Sequence, residues 1–136
     1  MDETRTYGIE VEVISKVSPS QLQDMLRIAF QAANLNMAVR VGGYGHDING
    51  NNRDVWNLKR DASISSDDTN YPHGIEIVSP VLTGLQGLRA LKVVCEAIHE
   101  VTKVNKSTGL HVHHGVRAED LAVIAKSWIA VYNQKL

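Results

Sequence analysis

Residues 5–14 read RTYGIEVEVI, and their alternation decides the fold. Tyr7, Ile9, Val11 and Val13 fall on one side of an extended chain; Gly8, Glu10, Glu12 and Ile14 fall on the other, because strand side chains alternate with a period of two. Such a strand has one face for a core and one polar face. Just after it, Ser18-Pro19-Ser20-Gln21 has the chemistry of a helix start. Serine can cap, proline suits the first helical position, and glutamine completes a capping box. Leu22, Met25, Leu26, Ala29, Phe30 and Ala33 then recur at helical spacing, and Asn34 ends the run.

The same two periods organise the rest. Residues 37–42 (MAVRVG) predict a short second strand. Residues 54–60 (DVWNLKR) predict a third, with Val55, Asn57 and Lys59 alternating against Trp56 and Leu58. The two are expected to form a hairpin, joined by the glycine-rich GGYGHDINGNNR of 42–53 with its Asn-Gly turn chemistry. After a loop at 61–70 (DASISSDDTN), residues 74–79 (GIEIVS) make a fourth strand that Pro80 closes. Leu85, Leu88, Leu91, Val94, Cys95, Ile98 and Val101 predict a long amphipathic helix over 84–103. Residues 109–116 (GLHVHHGV) read as a fifth strand, and 118–134 as a third helix with Leu121, Ile124, Ala125, Trp128 and Tyr132 on one side. The fold class is therefore α+β: a mainly antiparallel sheet of about five strands with helices packed on one face. The chain of 136 residues is expected to be one domain, 1–136. The sheet face away from the helices is left polar and would floor a site.

Composition narrows the function. A net charge of -1 argues against a general nucleic-acid binder. No apolar run approaches the ~20 residues of a membrane helix, and the acidic N-terminus lacks an apolar signal region. The lone Cys95, set among apolar residues, is expected to be a buried, inert thiol in a cytoplasmic protein.

The chemistry-bearing residues concentrate on the strands. Glu10 and Glu12 are two apart and project from one face; His111 and His113 do the same, and Glu76 sits between Ile75 and Ile77. Two carboxylates that close raise each other's pKa unless a cation neutralises them. Carboxylates with one or two imidazoles suit Mg²⁺ or Mn²⁺ better than zinc. Each piece has a plainer rival: a solvated sheet face for the glutamates, a lysine or arginine partner for Glu76, a chance cluster for the histidines. Together, on strands that share one sheet, they make a candidate metal set. Asp61 and Ser63 follow a strand and could orient a ligand or simply cap a loop. Tyr44 and His46 lie in the glycine-rich loop, which could close over a substrate or be an ordinary hairpin tip. Trp56 could be core or a stacking platform. No P-loop and no nucleophile triad occurs.

In order, GIEVE, then W-x-L-x-x-D-x-S from Trp56 to Ser63, GIEIVSP from Gly74 to Pro80, the helix after TGLQGL, and TGLHVHH from Thr108 to His114 resemble the amidoligase family. That family is similar to the carboxylate-amine ligases of the glutamine synthetase and glutamate–cysteine ligase superfamily. The resemblance implies half of a glutamine synthetase-like catalytic domain and an ATP-dependent ligase that joins a carboxylate to an amine. It implies Mg²⁺ (or Mn²⁺) and ATP as cofactors. Glu10 and Glu12 match the first acidic pair, Glu76 the acid of the E-x-x-SP strand, and His111 or His113 the histidine that helps hold metal or phosphate. Asp61 matches the aspartate before the loop. Asp61, Ser63 and His113 are then candidates for contact with reacting groups; Tyr44, His46, Trp56 and Lys59 are candidates for contact with nucleotide. Members of the family usually continue beyond a point equivalent to Leu136, so a truncated chain is expected, with no evident cluster of phosphate-stabilising arginines.

Three functions remain open on this reading. One is the ligase, whole or partial, acting on a small-molecule carboxylate and amine. The second is a non-catalytic module that binds a nucleotide, a small molecule or a protein partner. The third is a truncated structural relic that assembles through the open sheet edge its missing strands would have covered; a homo-oligomer that covers this edge, or that completes the site of the ligase, is the expected assembly.

Overall fold

Alternation in the first segment makes β1 (Thr6–Ser15) the hub of the sheet. The computed structural model describes residues 5–42, 54–115, Val123 and 125–127. β1 pairs antiparallel along one edge with β4 (His73–Val78) and β5 (Leu82–Thr83). Along its other edge it pairs antiparallel with β6 (Thr102–Lys103) and β7 (Leu110–His114). β3 (Val55–Arg60) extends the sheet antiparallel to β4, and β2 (Ala38–Val41) lies beyond β3. The seven strands form one mixed, mostly antiparallel sheet, and the fold is α+β as expected.

Three features depart from expectation. β2 and β3 are parallel, with Ala38 opposite Val55 and Val41 opposite Leu58, so they are not a hairpin. A parallel return needs a crossover of about a dozen residues, a length that the 42–53 segment has and that its Asn-Gly pair obscured. Residues 43–53 of that segment lie outside the described residues, as does most of the expected third helix; Val123 and 125–127 are helical. The sheet also has two strands more than about five, because β5 and β6 are two residues each, too short to alternate visibly.

The third departure is in α2 (Gly84–Ile98), which stops short of residue 103. Its buried stripe is Gly84, Gly87, Ala90, Val94 and Ile98, whereas Leu85 and Leu88 are exposed. Close approach explains the choice of small residues. A Cβ on Gly87 would lie 2.4 Å from Tyr7 Oη and 2.8 Å from Leu82 Cβ. Tyr7 Oη donates to the Gly84 carbonyl at 2.8 Å, which fixes the start of α2 against β1. Cys95 follows from the same rotation: it is exposed, not buried. Its thiol pKa is still pushed up by partial burial and by the charge of Glu96, so it is a weak nucleophile.

α1 (Pro19–Ala32) starts as its sequence requires: Gln21 N donates to Ser18 Oγ at 3.3 Å, and Ser18 N to Gln21 Oε1 at 2.9 Å. It ends in a Schellman turn. Asn34 adopts φ 56°, Asn34 N donates to Gln31 O, and Leu35 N to Phe30 O. Gln23 Nε2 and Arg27 Nε both donate to Val39 O at 3.1 Å, tying α1 to β2. Leu22, Leu26 and Phe30 of α1, with Val94 and Ile98 of α2, pack on Ile9, Val13, Val39, Trp56, Leu58, Ile75 and Ile77. Trp56 is 0% exposed, its ring 6.0 Å from that of Phe30. Among the described residues, no helix is long and apolar enough to cross a membrane.

Gly87→Ala is expected to destabilise the fold by about 1–3 kcal/mol, the usual cost of an overpacked contact. Urea denaturation would show it as a lower midpoint with unchanged slope.

Candidate functional site

With Ile9 and Val13 of β1 committed to the core, Gly8, Glu10 and Glu12 lie on the opposite face and set the floor, and Ile14 is fully buried. Direct cross-strand partners share a face. Glu12 lies opposite Glu76, Glu10 opposite Val78 on one side and His111 on the other, and Gly8 opposite His113. Beyond β4, Lys59 lies opposite Glu76, and Asn57 opposite Val78. Arg40 stands beside Asn57 in register and its Nε donates to Asn57 Oδ1 at 2.8 Å. Across the sheet the polar face therefore runs from basic (Arg40, Lys59) through acidic (Glu76, Glu12, Glu10) to imidazole (His111, His113).

Local contacts hold this arrangement. Glu10 Oε2 lies 3.4 Å from His111 Nδ1 and 3.3 Å from His113 Nε2. A Cβ on Gly109 would lie 3.5 Å from both Glu12 Oε2 and His111 Nε2, in ordinary contact, so both side chains border Gly109. Asp61 accepts hydrogen bonds from Ser63 N at 2.8 Å and Ser63 Oγ at 2.6 Å. These bonds lower its pKa, and a weaker one from Glu76 adds to the effect. Glu76 moves the other way. Burial raises its pKa most, the charges of Glu10 and Asp61 raise it further, and Lys59 pulls it partly back.

The loop carrying Asp61 is stitched to the turn before β7. Ser65 N donates to Ser107 Oγ at 2.9 Å, and Asn105 Nδ2 donates to Ser65 O at 2.7 Å and Asp67 Oδ1 at 3.0 Å. Lys103 pairs with Asp68. The ammonium groups of Lys16 and Lys103 lie 5.2 Å and 4.7 Å from the Tyr71 ring centroid. Ile64 of this loop sits against Gly74, where a Cβ would meet it at 2.9 Å.

The five residues read as a metal set, Glu10, Glu12, Glu76, His111 and His113, all lie on this face, and Asp61 and Lys59 join them. Ser63 faces Asp61 and is occupied in orienting it. Trp56 cannot serve as a stacking platform for a nucleotide: it points into the core from the opposite face. Tyr44 and His46 lie outside the described residues. Arg40 and Asn57 were not singled out from the sequence. Their signal was parity alone, since each alternates with a buried neighbour, Val39 or Trp56. Among the described residues, no three His, Cys, Asp or Glu side chains already stand in ligating geometry. The donors are oxygen-rich with imidazole, the chemistry that Mg²⁺ or Mn²⁺ takes, and side-chain rotation would have to gather them.

An open α+β sheet with helices on one face and an acidic floor on the other is the class defined so far. The sequence profile of a family described as "Putative amidoligase enzyme" matches residues 3–135, and the chain belongs to that family. No curated protein and no solved structure matches it significantly.

Two substitutions test the electrostatics. Folding raises the Glu76 pKa above its ordinary 4.5, so the folded chain prefers the neutral acid. That preference stabilises the fold below the unfolded pKa and is lost as pH rises through the folded value. Glu76→Gln is expected to raise the denaturation midpoint at about pH 7, with the gain closing below about pH 4. Ser63→Ala is expected to raise the Asp61 pKa in a carboxyl ¹³C titration by NMR, with little change in overall stability, since Asp61 loses the hydroxyl donor that lowers it most and keeps the backbone N–H.

Proposed function

We infer that this polar face is the cation and phosphate floor of an ATP-dependent carboxylate–amine ligase. The carrying observation is the register that sets Glu12 directly opposite Glu76, with Glu10 two residues along on the same face. Like charges directly opposite on a sheet are destabilising, and a divalent cation bound to the nucleotide phosphates would turn that repulsion into ligation. Family membership supports amide formation as the reaction class.

In the reaction, the γ-phosphoryl group of ATP passes to the substrate carboxylate, giving ADP and an acyl phosphate. The amine nitrogen then attacks the acyl carbon, phosphate leaves, and the nitrogen gives up a proton. Phosphoryl transfer needs mainly positioning and charge neutralisation. Glu10, Glu12 and Glu76 would hold Mg²⁺, which would supply positive charge to offset that of the nucleotide phosphates. His111 and His113 fix the Glu10 carboxylate. Lys59, beside Glu76, faces the phosphates from the basic side, and Arg40 extends that side toward β2. Asp61, whose carboxyl Ser63 holds below the usual carboxylate range, adds a further acid beside Glu76.

Mn²⁺ titration followed by electron paramagnetic resonance is expected to show a bound ion that Glu12→Gln weakens at least tenfold. Incubation with Mg²⁺-ATP and a panel of carboxylates and amines is expected to release ADP, and Glu12→Gln to lower the rate at least a hundredfold. Absence of ADP release across the panel, or release untouched by Glu12→Gln, would sink the ligase reading. Tight nucleotide binding without release would make the chain a binding module.

A further inference from the structure

The acidic floor does not end the polar face. Beyond Glu10, toward the start of β1, lies an open pocket of about 300 Å³, the size at which small-molecule sites begin. Its floor is Gly8, and Val78, Pro80 and Val81 form an apolar wall. Glu10 and His113 close the end nearest the acids. No lysine or arginine is among the described residues that line it.

The wall is built rather than incidental. The chain leaves β4 at Ser79, whose Oγ accepts from Ile9 N at 2.8 Å and donates to Pro80 O at 2.8 Å. Ser79 N donates to Ile9 O at 2.9 Å. These bonds hold the 79–81 segment against β1 between the two strands β4 and β5. The floor is open because residue 8 has no side chain: a Cβ there would meet only His113 Cβ and Ser79 Oγ, each at 4.0 Å.

The geometry points to this pocket as the site of the amine substrate, a primary amine with a short branched or straight apolar chain. The proposal deepens the ligase reading and rests on it. A carboxylate at one end, with the imidazoles of His113 and His114 and no lysine or arginine among the described lining residues, favours a cationic head over a carboxylate or a phosphate. The apolar wall favours a hydrocarbon tail. An ammonium group beside Glu10 would stand at the border between pocket and floor, where an activated acyl group on the floor would be within reach once the nitrogen loses its proton. The pocket thus separates the two substrates by charge: the anionic acyl donor and nucleotide over the basic-to-acidic part of the face, the amine beyond Glu10.

The test is binding by the full chain, read by NMR chemical-shift titration without ATP. Ethylamine, butylamine and isopentylamine are the cationic probes, and isovalerate is the anionic control. Affinity is expected to rise roughly two- to fourfold per added methylene, with isovalerate binding at least tenfold more weakly than isopentylamine. Gly8→Val places a branched side chain in the pocket without backbone strain, since Gly8 does not have positive φ and valine suits a strand. It is expected to cut isopentylamine affinity at least tenfold while sparing the Mg²⁺ complex of a non-hydrolysable ATP analogue. Val81→Lys, at an exposed rim position, is expected to weaken isopentylamine several-fold and to strengthen isovalerate, and it supplies the answer if Gly8→Val fails to fold. Equal binding of isovalerate, or amine affinity unchanged by both substitutions, would overturn the proposal. So would loss of the ATP analogue with amine binding spared, which would make this a nucleotide pocket. The ligase reading fails separately, through absent ADP release, and that failure leaves the amine titration readable.

Discussion

The pairing of β1 with β4 in a single register is the constraint on which the rest depends. A slip of one residue would turn Glu10, Glu12 and Glu76 toward the helices and bring Ile9, Val13, Ile75 and Ile77 out to water. Burial of those four aliphatic side chains therefore specifies the polar face as firmly as it specifies the core. Ser79 reinforces the register, since its Oγ and its amide both bond to Ile9 where the pairing breaks. The opposition of Glu12 and Glu76 is thus imposed by packing on the other side of the sheet. Aliphatic burial holds together two carboxylates that, left to themselves, would move apart.

Most of the floor was legible because strand periodicity is strict. Glu10, Glu12, His111 and His113 needed only their spacing of two and a buried neighbour to be placed on a face. Glu76 needed the observation that an acid lay between two isoleucines. What the sequence could not yield was lateral order. Nothing in MAVRVG says that β2 runs parallel to β3, yet that direction carries Arg40 to Asn57 and puts a guanidinium on the site's face. Helix rotation was equally hidden. The leucines of α2 outweigh its glycines on any hydropathy pattern, and only the close pass of Tyr7 shows why Gly84, Gly87 and Ala90 turn inward. Trp56 was ambiguous for a different reason: an aromatic serves a core and a stacking site equally well, and the parity of Leu58 decides between them.

The electrostatic layout follows from strand order alone. Basic groups come from β2 and β3, acids from β4 and β1, imidazoles from β7. Each strand contributes one chemical type to a face about one side chain deep, so charge changes sign between β3 and β4 over a single strand spacing, about 5 Å. A ligand with anionic and cation-binding parts would find complementary partners in one orientation and clashing ones in the reverse. The loop from Asp61 to Tyr71 braces this layout from the side, through hydrogen bonds to the turn that leads into β7 and through the burial of Ile64.

β7 is built differently from the strands around it. Its five residues are all exposed, and among the described residues its ladder is to β1 alone, whereas β4 is paired on both edges and contributes two fully buried isoleucines. Segments with few buried contacts open at the low end of a protein's free-energy scale. The two histidines therefore ride on an element held mainly by its ladder to β1, while the acids sit on strands whose other faces anchor the core. The imidazole side of the site thus owes its place to backbone pairing, and the acidic side to aliphatic burial.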